Sequence, residues 1–268
     1  MLGIIISILA GAAISSVVFR DHGPIWGTII FLLGFAIANI VIILVLRKKI
    51  TNLQLGIQNI ILESQKQCNV QIANFQRRPP ASQQAAYAQL EKIQRAGVEK
   101  ALAAMDCFKS YYKWNILLNR QLNGMRVHLL YQIKDFKQVD KLLPYTIAFD
   151  AQTMAIALVR KYKNKAKDFD KYFNSKSMRL KGDQRAFFAC VYAWLKLQNQ
   201  SKEGLQAAIA ALVAAKKVSD NKVLVDNHAN LINNKVKHFN NAGFGDIWYG
   251  LFLEEPKQPK PVRQQRMY

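Results

Sequence analysis

Apolar and polar positions follow two different patterns along this chain. Residues 1–19 contain no charged side chain, and neither do residues 25–46; only Arg20-Asp21-His22-Gly23-Pro24 stands between them. About 20 apolar residues make a helix that crosses a ~30 Å hydrocarbon core. The pattern therefore predicts two spanning helices joined by a turn, a hairpin over 1–46 whose first member is at the lower limit of length. A cleaved signal peptide would carry a basic segment ahead of its apolar stretch, and none precedes this one. Gly11 with Ser15, and Gly34 with Ala38, are small pairs that let helix backbones approach closely. Asn39 is the strongly polar side chain deep in the second run; it requires a partner, either on the sister helix at Ser7 or on its own backbone.

Beyond Leu46 the period changes. Ile50, Leu53, Ile57, Ile60 or Ile61, Cys68, Ile72 and Phe75 recur at steps of three and four, which predicts an amphipathic juxtamembrane helix over 47–78. Ser64 interrupts its stripe, and Gly56 weakens it by about 1 kcal/mol relative to alanine. Such a helix can pair with a second copy of the chain, lie on the membrane, or pack on the domain that follows. Arg77-Arg78-Pro79-Pro80 breaks it, because proline lacks the N–H of a helical bond and restrains its predecessor. Residues 79–82 read as a linker and Ser82 as the cap of the next helix.

From there to Lys237 the pattern predicts helices only, over 83–110, 115–133, 136–148, 151–164, 168–180, 183–198, 201–217 and 222–238. No stretch alternates apolar and polar residues with β-branched side chains, so no sheet is expected. The fold class expected is all-α. Short polar connections between such helices imply antiparallel pairs, hence an α-solenoid over 83–255 behind the hairpin.

Charge adds a direction. Arg47, Lys48 and Lys49 close the second apolar run, whereas Arg20 in the turn is opposed by Asp21. Cytoplasmic flanks collect Lys and Arg, so both termini are expected in the cytoplasm, with the three cations against the membrane surface. An anionic leaflet would hold each by ~1 kcal/mol. The formal net charge is +21, and a balance so basic suits an anionic membrane, an acidic protein or nucleic acid. Because the cations are spread along helices, nucleic acid is the less favoured partner. The tail 256–268, PKQPKPVRQQRMY, has three prolines, four basic residues and no acid; it is expected to be disordered and available to lipid headgroups, RNA or an acidic partner.

Two segments resemble tetratricopeptide units. In 120–143, RQLNGMRVHLLYQIKDFKQVDKLL, a first helix ends in the tight turn Lys134-Asp135-Phe136, and a second places Val139 and Leu143 inward. Phe136 matches the family's turn aromatic, while Pro144 falls earlier than its closing proline. In 185–215, Gly204, Ala208 and Ala211 match the small residues that let paired helices pack closely. The family's glycine before the turn is missing from both units, and its 34-residue period is not kept. A two-span hairpin followed by such repeats is also similar in layout to the HemY family of bacterial inner-membrane proteins. That likeness implies a bacterial inner-membrane location and a scaffolding or regulatory role.

No constellation points to catalysis. His22, His128, His228 and His238 do not stand at metal-ligand spacing with cysteines or acids. Cys68, Cys107 and Cys190 are far apart and odd in number, as in a reducing compartment. Gly243-Phe244-Gly245 lacks the third glycine and preceding strand of a phosphate loop and reads as a turn. Asp168 and Asp170, flanked by Lys167 and Lys171, read as a solvated helix start. Neither catalytic, cofactor nor metal-binding residues are assigned. Tyr111-Tyr112-Lys113-Trp114 suits base stacking, a membrane interface or packing between helices. Residues 239–252, FNNAGFGDIWYGLF, read as a cap docked over the last helix pair, with an aromatic partner-docking peptide as the rival. The expected function is a cytosol-facing scaffold that binds proteins, acidic ones or membrane-complex subunits, and holds them at the membrane. Its first contacts are assigned to Arg120, Arg126, Arg160 and Lys161. A structural subunit of a larger membrane complex, a tethered nucleic-acid binder and self-association are the other readings.

Overall fold

The computed structural model describes residues 2–114 and 117–256, and for 17–22 the backbone alone. The side chains of Arg20, Asp21 and His22, and the tail from 257, therefore lie outside the described residues. Among those described, every regular element is helical and no strand occurs. The chain is all-α, as its periodicity requires. It forms two compact units, Met1–Ile147 and Ala148–Tyr268; the 79–82 break falls inside the first.

The first unit is built on one spine. After α1 (Leu2–His22) comes α2 (Pro24–Arg77), a single helix of 54 residues and so about 80 Å long. Pro24 occupies the first turn, where its missing N–H costs nothing, and no further proline occurs before Pro79. Nothing therefore breaks the helix at Leu46, and the second apolar run and the amphipathic segment are continuous. One face makes the contacts along its length, from Gly27, Phe31 and Gly34 through Ile42, Leu46 and Ile50 to Ile57, Ser64, Cys68, Gln71 and Phe75. These steps of three and four keep to one side.

Two helices share that face, both antiparallel to α2. α1 covers its first half: a Cβ at Gly3 would meet Ile42, and one at Gly11 would lie 3.0 Å from the Phe31 carbonyl oxygen. α3 (Gln83–Ala104) covers the second half, started by Ser82, whose hydroxyl accepts from the Ala85 N–H. Ser64 donates to the Ile93 carbonyl at 3.3 Å and Gln71 to Gln89 at 3.1 Å. Of the three fates open to 47–78, packing on the following segment of the same chain is the one observed. Two details of the stripe differ from expectation. Ile72 is 44% exposed while its neighbour Gln71 faces α3. Ser64 does not interrupt the contact; it lies within it, opposite Gly97.

At Met105 the expected 83–110 helix tightens into a 3-10 segment, Met105–Tyr111. Three residues per turn superpose i and i+3, so Met105 and Phe108 enter the core together, both 0% exposed. α4 (Leu118–Gln132) and α5 (Phe136–Leu142) follow. α5 is shorter than the 136–148 expected, since Pro144 forces a short 3-10 turn, Leu143–Tyr145.

The second unit is centred on α8 (Gly182–Leu197). Ala186, Phe188, Ala189, Cys190, Val191 and Ala193 are all 0% exposed, the mark of a helix packed all round. α6 (Ala151–Lys163), α8 and α10 (Lys222–Ile232) contact one another in succession, and α7 (Phe169–Ser177) and α9 (Lys202–Lys216) return beside α6 and α8. Gly204, Ala208, Ala211 and Ala215 face inward from α9. α10 ends at Ile232, six residues before expectation, where Asn234 turns the backbone to φ +55.

Residues 239–252 fold back on α8. Phe244 meets Phe187 edge-on at 5.3 Å, Asn241 donates to the Cys190 carbonyl at 3.2 Å, and the short α11 (Asp246–Tyr249) buries Trp248 completely. Glu254 closes the wrap: its two carboxylate oxygens accept from the indole N–H of Trp194 at 2.8 Å and of Trp248 at 2.9 Å. The docked segment is thus the arrangement present, and Gly243-Phe244-Gly245 is a turn within it.

Candidate functional site

The apolar hairpin presents the most extensive unmet chemistry in the chain. Its inner face is close-packed, since Gly34 and Gly11 let the two backbones approach until a Cβ at Gly34 would be 3.5 Å from the Gly11 Cα. Two of its polar side chains are satisfied within their own helices. Ser7, fully buried, donates to the Gly3 carbonyl at 2.9 Å, and Asn39 donates to the Phe35 carbonyl at 3.1 Å. Of the two partners open to Asn39, its own backbone is the one it has. The outer face is left uncovered: Ile25, Leu32, Leu33, Ile37, Ile40, Val41, Ile43 and Leu44 are each more than half exposed. Among the described helices, Pro24–Arg77 alone is long and apolar enough to cross a membrane. Its apolar window has mean hydropathy 3.1 and no buried share, and a shorter apolar helix spans Leu2–Ser16.

Arg47, Lys48 and Lys49 are exposed at the end of that window. Next to it the chain returns to the start of α1. The Leu2 N–H donates to the Lys113 carbonyl at 3.1 Å, and the Trp114 ring lies 3.9 Å from where a Gly3 Cβ would be. The Tyr111–Trp114 cluster thus packs where helices meet, one of the three roles its composition allows.

The four assigned contact residues are divided between the two units. Arg120 and Arg126 lie on α4 of the first unit; Arg160 and Lys161 lie on α6 of the second. Arg120 is exposed. Arg126, its side chain 18% exposed, is occupied internally: it donates to Asn123 at 3.1 Å and to the Tyr112 hydroxyl at 3.2 Å, with Asp106 at 4.0 Å. Arg160 reaches Asn164 at 3.4 Å. Lys161 pairs with Asp168 at 2.6 Å and stands 5.4 Å over the Tyr172 ring.

Sequence reasoning missed the cluster around Lys161. Phe173 stacks on Tyr192 at 3.8 Å, Phe169 on Tyr192 at 5.4 Å, and Lys196 lies over both Phe169 and Tyr192. Asp170 accepts from the Tyr192 hydroxyl at 2.9 Å and pairs with Lys196 at 2.7 Å. Asp168 and Asp170 are therefore cross-helix partners, not merely a solvated helix start flanked by Lys167 and Lys171. The hydrogen bond from Lys161 holds the Asp168 carboxyl below its ordinary range. Burial raises the hydroxyls of Tyr172 and Tyr192, with nearby acid adding to it in each case. Such perturbation marks some functional sites; here Lys161 engages the Asp168 carboxylate and Asp170 the Tyr192 hydroxyl.

Burial pushes the Cys190 thiol up to about 12 and lowers the pKa of His228, with Lys216 at 3.2 Å from its Nδ1 adding to the effect. Among the described residues no three His, Cys, Asp or Glu side chains could hold a metal. An open cleft of about 530 Å³ lies over the C-terminal wrap, between Lys237, His238, Tyr249, Glu254 and Glu255. The chain matches no protein-family model, no curated protein and no solved structure.

Proposed function

We propose that this chain is a membrane-anchored helical scaffold without catalytic activity. α1 and the first half of α2 span the bilayer as a hairpin, with both termini in the cytoplasm. The helices beyond Leu46 display basic surface to acidic protein partners and hold them at the membrane. The observation that carries this reading is the uncovered outer face of α2 across its apolar window. Contiguous apolar surface beyond a few hundred Å² marks a place that lipid or protein must cover, and here it ends on three consecutive cations. No ionisable side chain occurs in 25–46, which favours an anchor over a transport path. The succession of α6, α8 and α10, each pair closed by a returning helix, supports a short tetratricopeptide-like array for the second unit. The resemblance of a two-span hairpin followed by helical repeats to the layout of the HemY family favours a bacterial inner membrane.

Cys107 supplies the test, being the exposed one of the three cysteines. A membrane-impermeant maleimide should leave it unmodified in intact cells and label it in inside-out vesicles, and alkaline carbonate should not release the chain from membranes. Labelling in intact cells, or release by carbonate, would reject the topology. Replacing 1–46 with an unrelated hairpin should leave bound partners in place; their loss would identify instead a subunit whose spans make obligate contacts.

A further inference from the structure

We infer that the Tyr111–Trp114 stretch and the start of α4 make a second, peripheral contact with the bilayer, where their cations hold anionic phospholipid headgroups. This rests on the hairpin reading above. The depth of the segment is set by the hydrogen bond from the Leu2 N–H to the Lys113 carbonyl and by Trp114, which shares the surroundings of Gly3 with Ile42. Ile42 precedes Arg47 by five residues, about 7.5 Å along a helix axis. The indole is thereby held at the last apolar turn of α2, the headgroup–acyl boundary that Trp and Tyr favour.

The surface beside it has the composition such a boundary selects. Leu117 is 50% exposed and Tyr145 is 65% exposed. Tyr145 is tied back to α4 by its carbonyl, which accepts from Asn123 at 3.1 Å, and the Ile147 N–H donates to the Arg120 carbonyl at 3.2 Å. Lys113 and Arg120 are exposed on this stretch, as Arg47, Lys48 and Lys49 are on α2. No acid occurs between Cys107 and Lys134, and Asp106 just before is paired with Lys109 at 2.9 Å. Exposed cations next to aromatic and aliphatic side chains fit an anionic lipid surface.

The full chain in nanodiscs of phosphatidylcholine and phosphatidylglycerol tests this, with a spin label at carbon 5 of the acyl chain as a shallow fluorescence quencher. Trp114→Phe should remove a large part of the quenchable tryptophan emission, and Tyr145→Trp should add a quenchable indole without disturbing the packed one. Omitting phosphatidylglycerol, or Lys113→Glu in its presence, should raise acrylamide access to Trp114 about two-fold. If Trp114→Phe and Tyr145→Trp leave lipid quenching unchanged, the segment does not touch the bilayer. If acrylamide access ignores phosphatidylglycerol and charge, no anionic headgroup is held. Trp26→Phe separates the two levels, since Trp26 lies at the far end of the hairpin. Quenching of Trp26 without quenching of Trp114 rejects this contact alone, and quenching of neither rejects the hairpin.

Discussion

Gly97 and Ser64 meet in the α2–α3 contact with no room to spare: a Cβ placed on Gly97 would run into both the Oγ and the Cβ of Ser64. The Ser64 Cβ is fixed to the spine and cannot swing aside. Gly97→Ala should therefore destabilise the first unit by about 1–2 kcal/mol net, overpacking outweighing alanine's better helix propensity. Ser64→Gly in the same chain should recover most of that loss. Thermal unfolding in mild detergent measures both, and a Gly97→Ala protein melting with the wild type would deny the contact.

Glu254 holds two indoles at once. Glu254→Ala strands the N–H of the fully buried Trp248 together with that of Trp194, at a cost of about 2–3 kcal/mol. Glu254→Gln retains one acceptor oxygen and sets an amide against the other donor, so an intermediate loss is expected. Urea unfolding followed by tryptophan emission reads the series; equal midpoints for alanine and wild type would contradict the clamp.

Helices in both units end on left-handed residues that are not glycine: Lys134 at φ 58, Lys165 at φ 50 and Gln200 at φ 48. At the first two, paired bonds close the turn, as from Lys134 to Tyr131 and from Asp135 to Leu130, the arrangement in which glycine is the usual residue. Gln200→Gly should stabilise the second unit by about 1 kcal/mol, by relieving the Cβ. Lys134→Gly and Lys165→Gly should gain less, because each also removes a cation from a helix C-terminus, worth about 0.3–1 kcal/mol. Melting temperatures of the three variants would show the ordering, and a destabilising Gln200→Gly would refute it.

His228 makes the second unit sensitive to mild acid. Burial, aided by Lys216, lowers its pKa in the fold, so the unfolded chain takes up the proton first as pH falls. Its contribution is complete above the ordinary histidine pKa of ~6.5 and declines below it, down to the lowered folded value. The melting temperature should drop between pH 7.5 and 5.5, and His228→Gln should flatten that slope. An unchanged slope would assign the acid sensitivity elsewhere.

Patterns of period three and four made most of the helices legible, because one buried face imposes that spacing whatever it packs against. The same logic could not distinguish partners. Ser64 read as a flaw in a stripe because polarity was weighed without the glycine 33 positions later that receives it. Ile72 and Gln71 exchanged roles for a related reason, since the α3 side of the helix is set by contact geometry and hydropathy points elsewhere. Asp168, Asp170, Lys161 and Lys196 are close only through the packing of α6, α7 and α8, and neighbouring lysines in sequence suggested a solvated helix start instead. Arg126 looked like a surface cation until Tyr112 and Asn123 were brought to it. Glu254 had no signal, as one of its two donors, Trp194, stands 60 residues away.

The uninterrupted course of α2 sets a phase relation. One helix carries the stripe that receives α1 and the stripe that receives α3, and the two are aligned because the residues between Leu46 and Ile50 keep the turn count. Inserting a single residue there would rotate one stripe by about 100° against the other and pull Leu2 away from Lys113. The angle between the faces of α2 that hold α1 and α3 is thus written into the length of a four-residue interval that contains Arg47-Lys48-Lys49.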